Sequence, residues 1–187
     1  MVKNSPTTTF ANLRRGEELF QKSIERTLNL LKRMKVEQKI DELTKRTENL
    51  EQKQNELNQE TEKSNLNNSE EKKELQKKQD EIAKDSKKLE EELKKLQKEM
   101  EELKDMPKQE MDKAVEESEK QDNQELSEEI NKDMQQNQKS SAMQKQKQLA
   151  NNIDKNDLEK LKTRLDTLYS EKQPLKMQQE RMREDKK

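Results

Sequence analysis

A single glycine and three prolines in 187 residues leave this chain almost without the punctuation that hairpins, tight turns and strands require. Glu, Lys, Gln and Leu, all good helix formers, fill the sequence instead. The fold class that follows is all-α, and the periodicity says of what kind. In KVEQKIDELTKRTENLEQKQNELNQET, Lys35 to Thr61, the residues Val36, Leu43, Leu50 and Leu57 step by seven. Ile40, Thr47, Gln54 and Thr61 interleave four residues later. This is a coiled-coil register whose seam is half polar.

Such a chain cannot build a thick globular core: 25% of its residues are hydrophobic and 2% aromatic, against 44% charged. Leu, Ile, Val and Phe together supply 31 of 187 residues, a share associated with disorder when net charge is large. The net charge here is only -1, so repulsion does not force expansion. With no His and no Cys, the commonest general base, the commonest thiol nucleophile and the usual zinc ligands are all missing. A carboxylate on a thin, wet helix has nothing to shift its pKa. The expectation is a protein that is not an enzyme, with no cofactor, metal or small-molecule substrate. No run of about 18 apolar residues exists and the first residues lack a secretion signal, so the chain as given reads as soluble, with its localisation unknown.

Residues 1–13 read as a disordered tail. A helix over 14–64 would span roughly 75 Å at 1.5 Å per residue. At SNLNNSEEKKEL, Ser64 to Leu75, the seam advances by eleven residues, which in a continuous coiled coil is a stutter. The Asn and Ser residues there, with Asn68 and Glu71 at capping-box spacing, favour a turn over 65–69 and an antiparallel hairpin. Residues 70–106 form a charged heptad helix that Pro107 ends or kinks. Residues 107–152 read as a weaker, polar helix with a break near Gln121 to Asn123. Its run Gln136 to Asn152 is low-complexity and by default solvated or partly disordered. A short helix over 153–173, with Asn156 and Glu159 at capping spacing and Pro174 as its stop, precedes a charged tail over 174–187. The architecture expected is elongated: an antiparallel helical hairpin plus weaker C-terminal helices.

The expected interface seam is Ile40, Leu43, Leu50, Leu57, Leu75, Ile82, Leu89, Leu93, Leu96 and Leu103. So thin an apolar stripe scarcely offsets the ordering of the helices that carry it, so the helices need each other or a partner. Homo-oligomers or partner helices are the expected partners, and the function is structural: a scaffold that mediates helix–helix association. Charge supports folding back. Residues 1–46 carry 11 Lys and Arg against 6 Asp and Glu, residues 47–159 carry 21 against 31, and residues 160–187 carry 9 against 5. A holdase-like chaperone gripping clients through Leu and Met stripes is the alternative. The nine Met otherwise read as seam filler. The stripe Phe20, Ile24, Leu28 and Leu31, flanked by basic residues, reads as a helix-packing face ahead of a surface for acidic membranes. Nucleic-acid binding is disfavoured by the acidic middle and by having only Tyr169, Phe10 and Phe20 as stacking platforms.

At SIERTLNLLKRMKVEQKIDEL, Ser23 to Leu43, at NELNQET, Asn55 to Thr61, and at MQQNQKSSAMQKQKQLA, Met134 to Ala150, the chain resembles a known group. That group is the low-complexity helical region of large bacterial membrane proteins of unknown function, from Bacteroidetes and related lineages. In those proteins the region follows transmembrane helices, so the resemblance implies a tethered helical scaffold at the cell envelope. Having no membrane span, this chain would then be a fragment or a product with a displaced start. The resemblance carries no catalytic or binding residues.

Overall fold

The computed structural model describes residues 6–104, 106–120, 122–153, 158–168 and 170. All of its regular structure is helical: α1 Pro6–Lys63, α2 Ser69–Glu101, α3 Lys108–Lys120, α4 Asn123–Gln135 and α5 Lys139–Asn152, with a further helical stretch over 158–168. No strand occurs among the described residues. The tail expected over 1–13 is corrected at its second half, because α1 already begins at Pro6. Proline suits a first helical position, where its missing N–H has no intrahelical partner to lose.

The change of seam after Ser64 is a turn. Asn68 caps α2 by accepting from the Glu70 N–H (3.0 Å), and the Glu71 carboxylate accepts from the Asn68 side chain and the Asn65 N–H, both at 2.8 Å. Three orphan polar groups at the helix start are thereby satisfied locally. Leu66, buried in the turn, closes this end of the core. The second half of α1 and α2 then lie antiparallel, as their ion pairs record: Lys35–Glu99 at 3.2 Å, Arg46–Glu92 at 2.6 Å, Lys53–Asp85 at 3.7 Å and Lys78–Glu60 at 2.6 Å.

The polar stretch after Pro107 differs from the single weak helix expected over 107–152. It forms α3, α4 and α5, which complete an up-down-up-down bundle with the hairpin. α3 and α4 follow one another along α2, held by Gln97–Asp112 (2.7 Å) near one end and Asn131–Asp80 (2.6 Å) towards the other. α5 runs back between α4 and α1, tied by Lys145 to Asp133 (3.0 Å) and by Lys139 to the Ser64 carbonyl (2.7 Å). The run Gln136 to Asn152 is therefore not a solvated or disordered segment. Ala142, Gln146, Leu149 and Ala150 bury one face of α5 in the bundle.

Local chemistry sets the remaining breaks. α2 ends at Glu101, short of the 106 expected, in a turn whose Leu103 and Met106 are buried with the core. α3 ends at Lys120 and α4 begins at Asn123, where Asp122 caps α4 by accepting from the Glu125 N–H at 2.9 Å. Between α4 and α5, Asn137 takes φ 59 while the N–H groups of Asn137 and Gln138 donate to Met134 and Asp133. That is a Schellman closure with Asn in the left-handed position. Helix 158–168 packs Leu158, Leu161 and Leu165 inward, and Lys162 pairs with Asp41 of α1 at 2.5 Å. The expected cap at Asn156, the stop at Pro174 and the tail over 174–187 lie outside the described residues.

Candidate functional site

All ten residues of the expected seam are buried, none more than 7% exposed, and all within the one chain. Met100, Met106, Met111 and Met134 fill the same core. The seam is thus consumed by the chain's own folding. The buried polar side chains make hydrogen bonds of two kinds. Thr44, Thr47 and Thr61 donate to the carbonyls of Ile40, Leu43 and Leu57 four residues back, at 2.8–2.9 Å. Glutamine reaches further. Gln54 of α1, Gln79 of α2, Ser127 of α4 and Gln146 of α5 meet in one buried layer, with Gln79 bonded to Gln54 (3.3 and 3.0 Å), Ser127 (3.3 Å) and Gln146 (3.4 Å).

The charged clusters on the bundle are ion pairs. Glu92 lies 2.7 Å from Lys39 and 2.6 Å from Arg46, and these contacts, Lys39 first, hold its carboxyl below the ordinary glutamate range despite partial burial. The Lys39 ammonium is raised in return, by Glu92 and then Glu42. Burial pushes the Asp133 carboxyl up, but hydrogen bonds from Ser141 (2.6 Å) and Lys145 more than reverse this, leaving it low. Among the described residues no group of His, Cys, Asp and Glu could hold a metal ion. The groove of about 460 Å³ along the outer face of the hairpin has Leu57 and Ile82 in its lining, and ion pairs Lys53–Asp85 and Lys78–Glu60 on its walls.

The first part of α1 is built differently. Lys32–Glu102 (3.3 Å) and the bond from Arg33 to the Lys104 carbonyl (2.7 Å) mark where α1 leaves the bundle. Beyond them, Phe10, Leu13, Leu19, Phe20, Ile24, Leu28, Leu30, Leu31 and Met34 are 47–73% exposed. Every exposed large apolar side chain among the described residues lies in this arm. The transition is abrupt: Leu31 is 57% exposed and Val36 only 1%. Val36 and Ile40 stand five and nine residues beyond Leu31, roughly 140° and 180° around the helix. The arm's apolar stripe therefore does not continue the bundle seam but faces away from it. The stripe Phe20, Ile24, Leu28 and Leu31 was legible in the sequence; this shift of phase was the signal that nothing in the chain would cover it.

No protein-family model matches the chain, and no curated protein or solved structure matches it significantly. No helix among the described residues is long and apolar enough to cross a membrane.

Proposed function

We propose that this protein is a non-enzymatic scaffold: a helical bundle that satisfies its own seam and holds out an apolar helical arm for association with a partner. The observation that carries the reading is the arm, nine large apolar side chains about half exposed or more on one continuous helix. A soluble protein rarely leaves so large an apolar patch without a partner for it. The heptads of the bundle serve folding, so association falls to the arm. The resemblance to helical regions of bacterial envelope proteins would place such a scaffold at the cell envelope.

A holdase reading draws on the same surface, since Phe10, Phe20 and the arm's leucines could grip an unfolded client. The experiment separates the two. Sedimentation velocity of the full chain and of the double variant Ile24→Asp, Leu28→Asp, with and without an aggregating client, tests whether the arm assembles stoichiometrically or only suppresses aggregation. Specific association lost in the variant supports the scaffold. Suppression of aggregation without defined stoichiometry supports the holdase, and neither behaviour would remove the holdase and leave the arm to a partner other than a second copy.

A further inference from the structure

We infer that the partner of the arm is a bilayer surface rich in anionic phospholipid, on which Phe10–Met34 lies as an amphipathic helix. The inference rests on the arm being an association surface and names what it associates with. Three observations lead to it.

The first is the division of the helix. Phe10, Leu13, Phe20, Leu28 and Leu31 all lie within roughly 40° of Ile24 and form one apolar stripe, while Leu19 and Leu30 lie roughly 120–140° away, outside it. Arg15, Lys22, Arg26 and Arg33 recur at intervals of seven, four and seven, on the side roughly 160–180° from Ile24. Glu17 lies within the stripe, and Arg14 and Lys32 lie at its margin, roughly 80° from Ile24. An apolar stripe set opposite a row of four basic side chains, with both phenylalanines of the chain in the arm, suits a helix lying in a membrane interface.

The second is charge. Residues 10–34 hold six Lys and Arg against three Asp and Glu, while residues 47–159 are net acidic, 21 against 31. An anionic surface attracts the arm and repels the bundle, which orients the molecule with its arm down.

The third is the lack of another apolar match within the chain. A second copy offers no exposed large apolar side chain, among the described residues, other than those of its own arm. Two arms would bring like net charge together. An anionic bilayer supplies both the apolar phase and the opposite charge. The arm would lie on it rather than span it, as no helix among the described residues is apolar enough to cross.

Co-flotation of the full chain with vesicles tests this, using phosphatidylcholine mixed with phosphatidylglycerol and phosphatidylcholine alone, alongside sedimentation velocity without lipid. The expected result is binding to the mixed vesicles only, weakening steeply as salt rises. Lys22→Glu with Arg26→Glu should lower affinity roughly thirtyfold or more. Ile24→Asp with Leu28→Asp should abolish binding while the helix content and urea midpoint of the bundle stay unchanged. Equal binding to neutral vesicles, or undiminished binding by the Ile24→Asp, Leu28→Asp variant, overturns the inference. No vesicle binding together with self-association that Ile24→Asp and Leu28→Asp abolish overturns the lipid partner and leaves the association reading standing. Neither vesicle binding nor self-association overturns both.

Discussion

Gln54 and Gln79 exchange two side-chain amide hydrogen bonds, 3.3 and 3.0 Å long, across the α1–α2 seam at positions with no solvent exposure. Gln79 is the hub of the layer, since Ser127 and Gln146 also bond to it. Apolar layers on either side would tolerate a slipped register, whereas this one keeps its hydrogen bonds only when all four columns are aligned, the Gln146 Oε1 being its one unpartnered oxygen. Gln79→Leu should therefore destabilise the bundle by about 3 kcal/mol, because it strands three buried partners. Replacing Gln54, Gln79 and Gln146 together by Leu, with Ser127→Ala, should be neutral or stabilising but should admit other oligomeric states. Urea unfolding and sedimentation velocity on the same variants measure the two effects.

Thr47 offers the opposite case. Its hydroxyl serves only its own helix, bonding the Leu43 carbonyl at 2.9 Å, and the side chain borders a cavity of about 120 Å³ lined also by Ser86, Leu89, Leu93, Ala114 and Leu158. Thr47→Ile leaves no buried group unpaired and adds apolar volume where there is room. A gain of about 1 kcal/mol, or a few degrees in Tm, is expected by thermal unfolding.

Leu50 and Leu28 sit on the same helix 22 residues apart, one 1% exposed and the other 52%. Leu50→Asn should cost about 3–5 kcal/mol, since it opens a cavity and buries an amide without partners. Leu28→Asn should change stability by no more than about 0.5 kcal/mol. Denaturant midpoints of the two variants check this contrast directly.

Glu92 ties the hairpin to pH. Its carboxyl is held low, Lys39 first and Arg46 after it, so the folded chain keeps it ionised where the unfolded chain takes up a proton. That stabilisation is present above the ordinary glutamate value of about 4.3 and is lost as pH falls through the depressed value. Asp133, also low, acts in the same direction. Lys39, raised, contributes below the ordinary lysine range and loses its contribution as pH climbs through its raised value. Glu92→Gln should cost about 1–2 kcal/mol near neutrality and flatten the acid limb of a stability-against-pH curve.

The hairpin was readable because its signals are local and agree: heptad Leu43, Leu50 and Leu57, a cluster of Asn and Ser, and Glu71 placed to reach back into the turn. The capping of α2 follows from the same residues. The fourth column was not readable in that way. α5 packs through Ala142, Gln146 and Leu149, spaced as a seam but carrying one small and one polar side chain, and so it looks like solvated low-complexity text. Its start depends on Asn137 in a left-handed conformation, indistinguishable by sequence from its polar neighbours. Gln146 had no mark of its own, since its burial is decided by Gln79 on a distant helix. The arm was half readable: the Phe20 to Leu31 stripe showed its apolar side, and the shift of phase before Val36 marked it off from the seam, but the exposure of that side is seen only in the packed bundle.

The central claim is that the seam closes within one chain and leaves the arm free. Amide hydrogen exchange of the full chain, followed by mass spectrometry across a wide range of protein concentration, tests it most directly. Protection over residues 35–63, 69–101 and 139–152 that does not change with concentration, beside rapid exchange over 10–31, is the result predicted. Protection of 35–63 that emerges only as concentration rises would contradict it, because the seam would then be closing between chains.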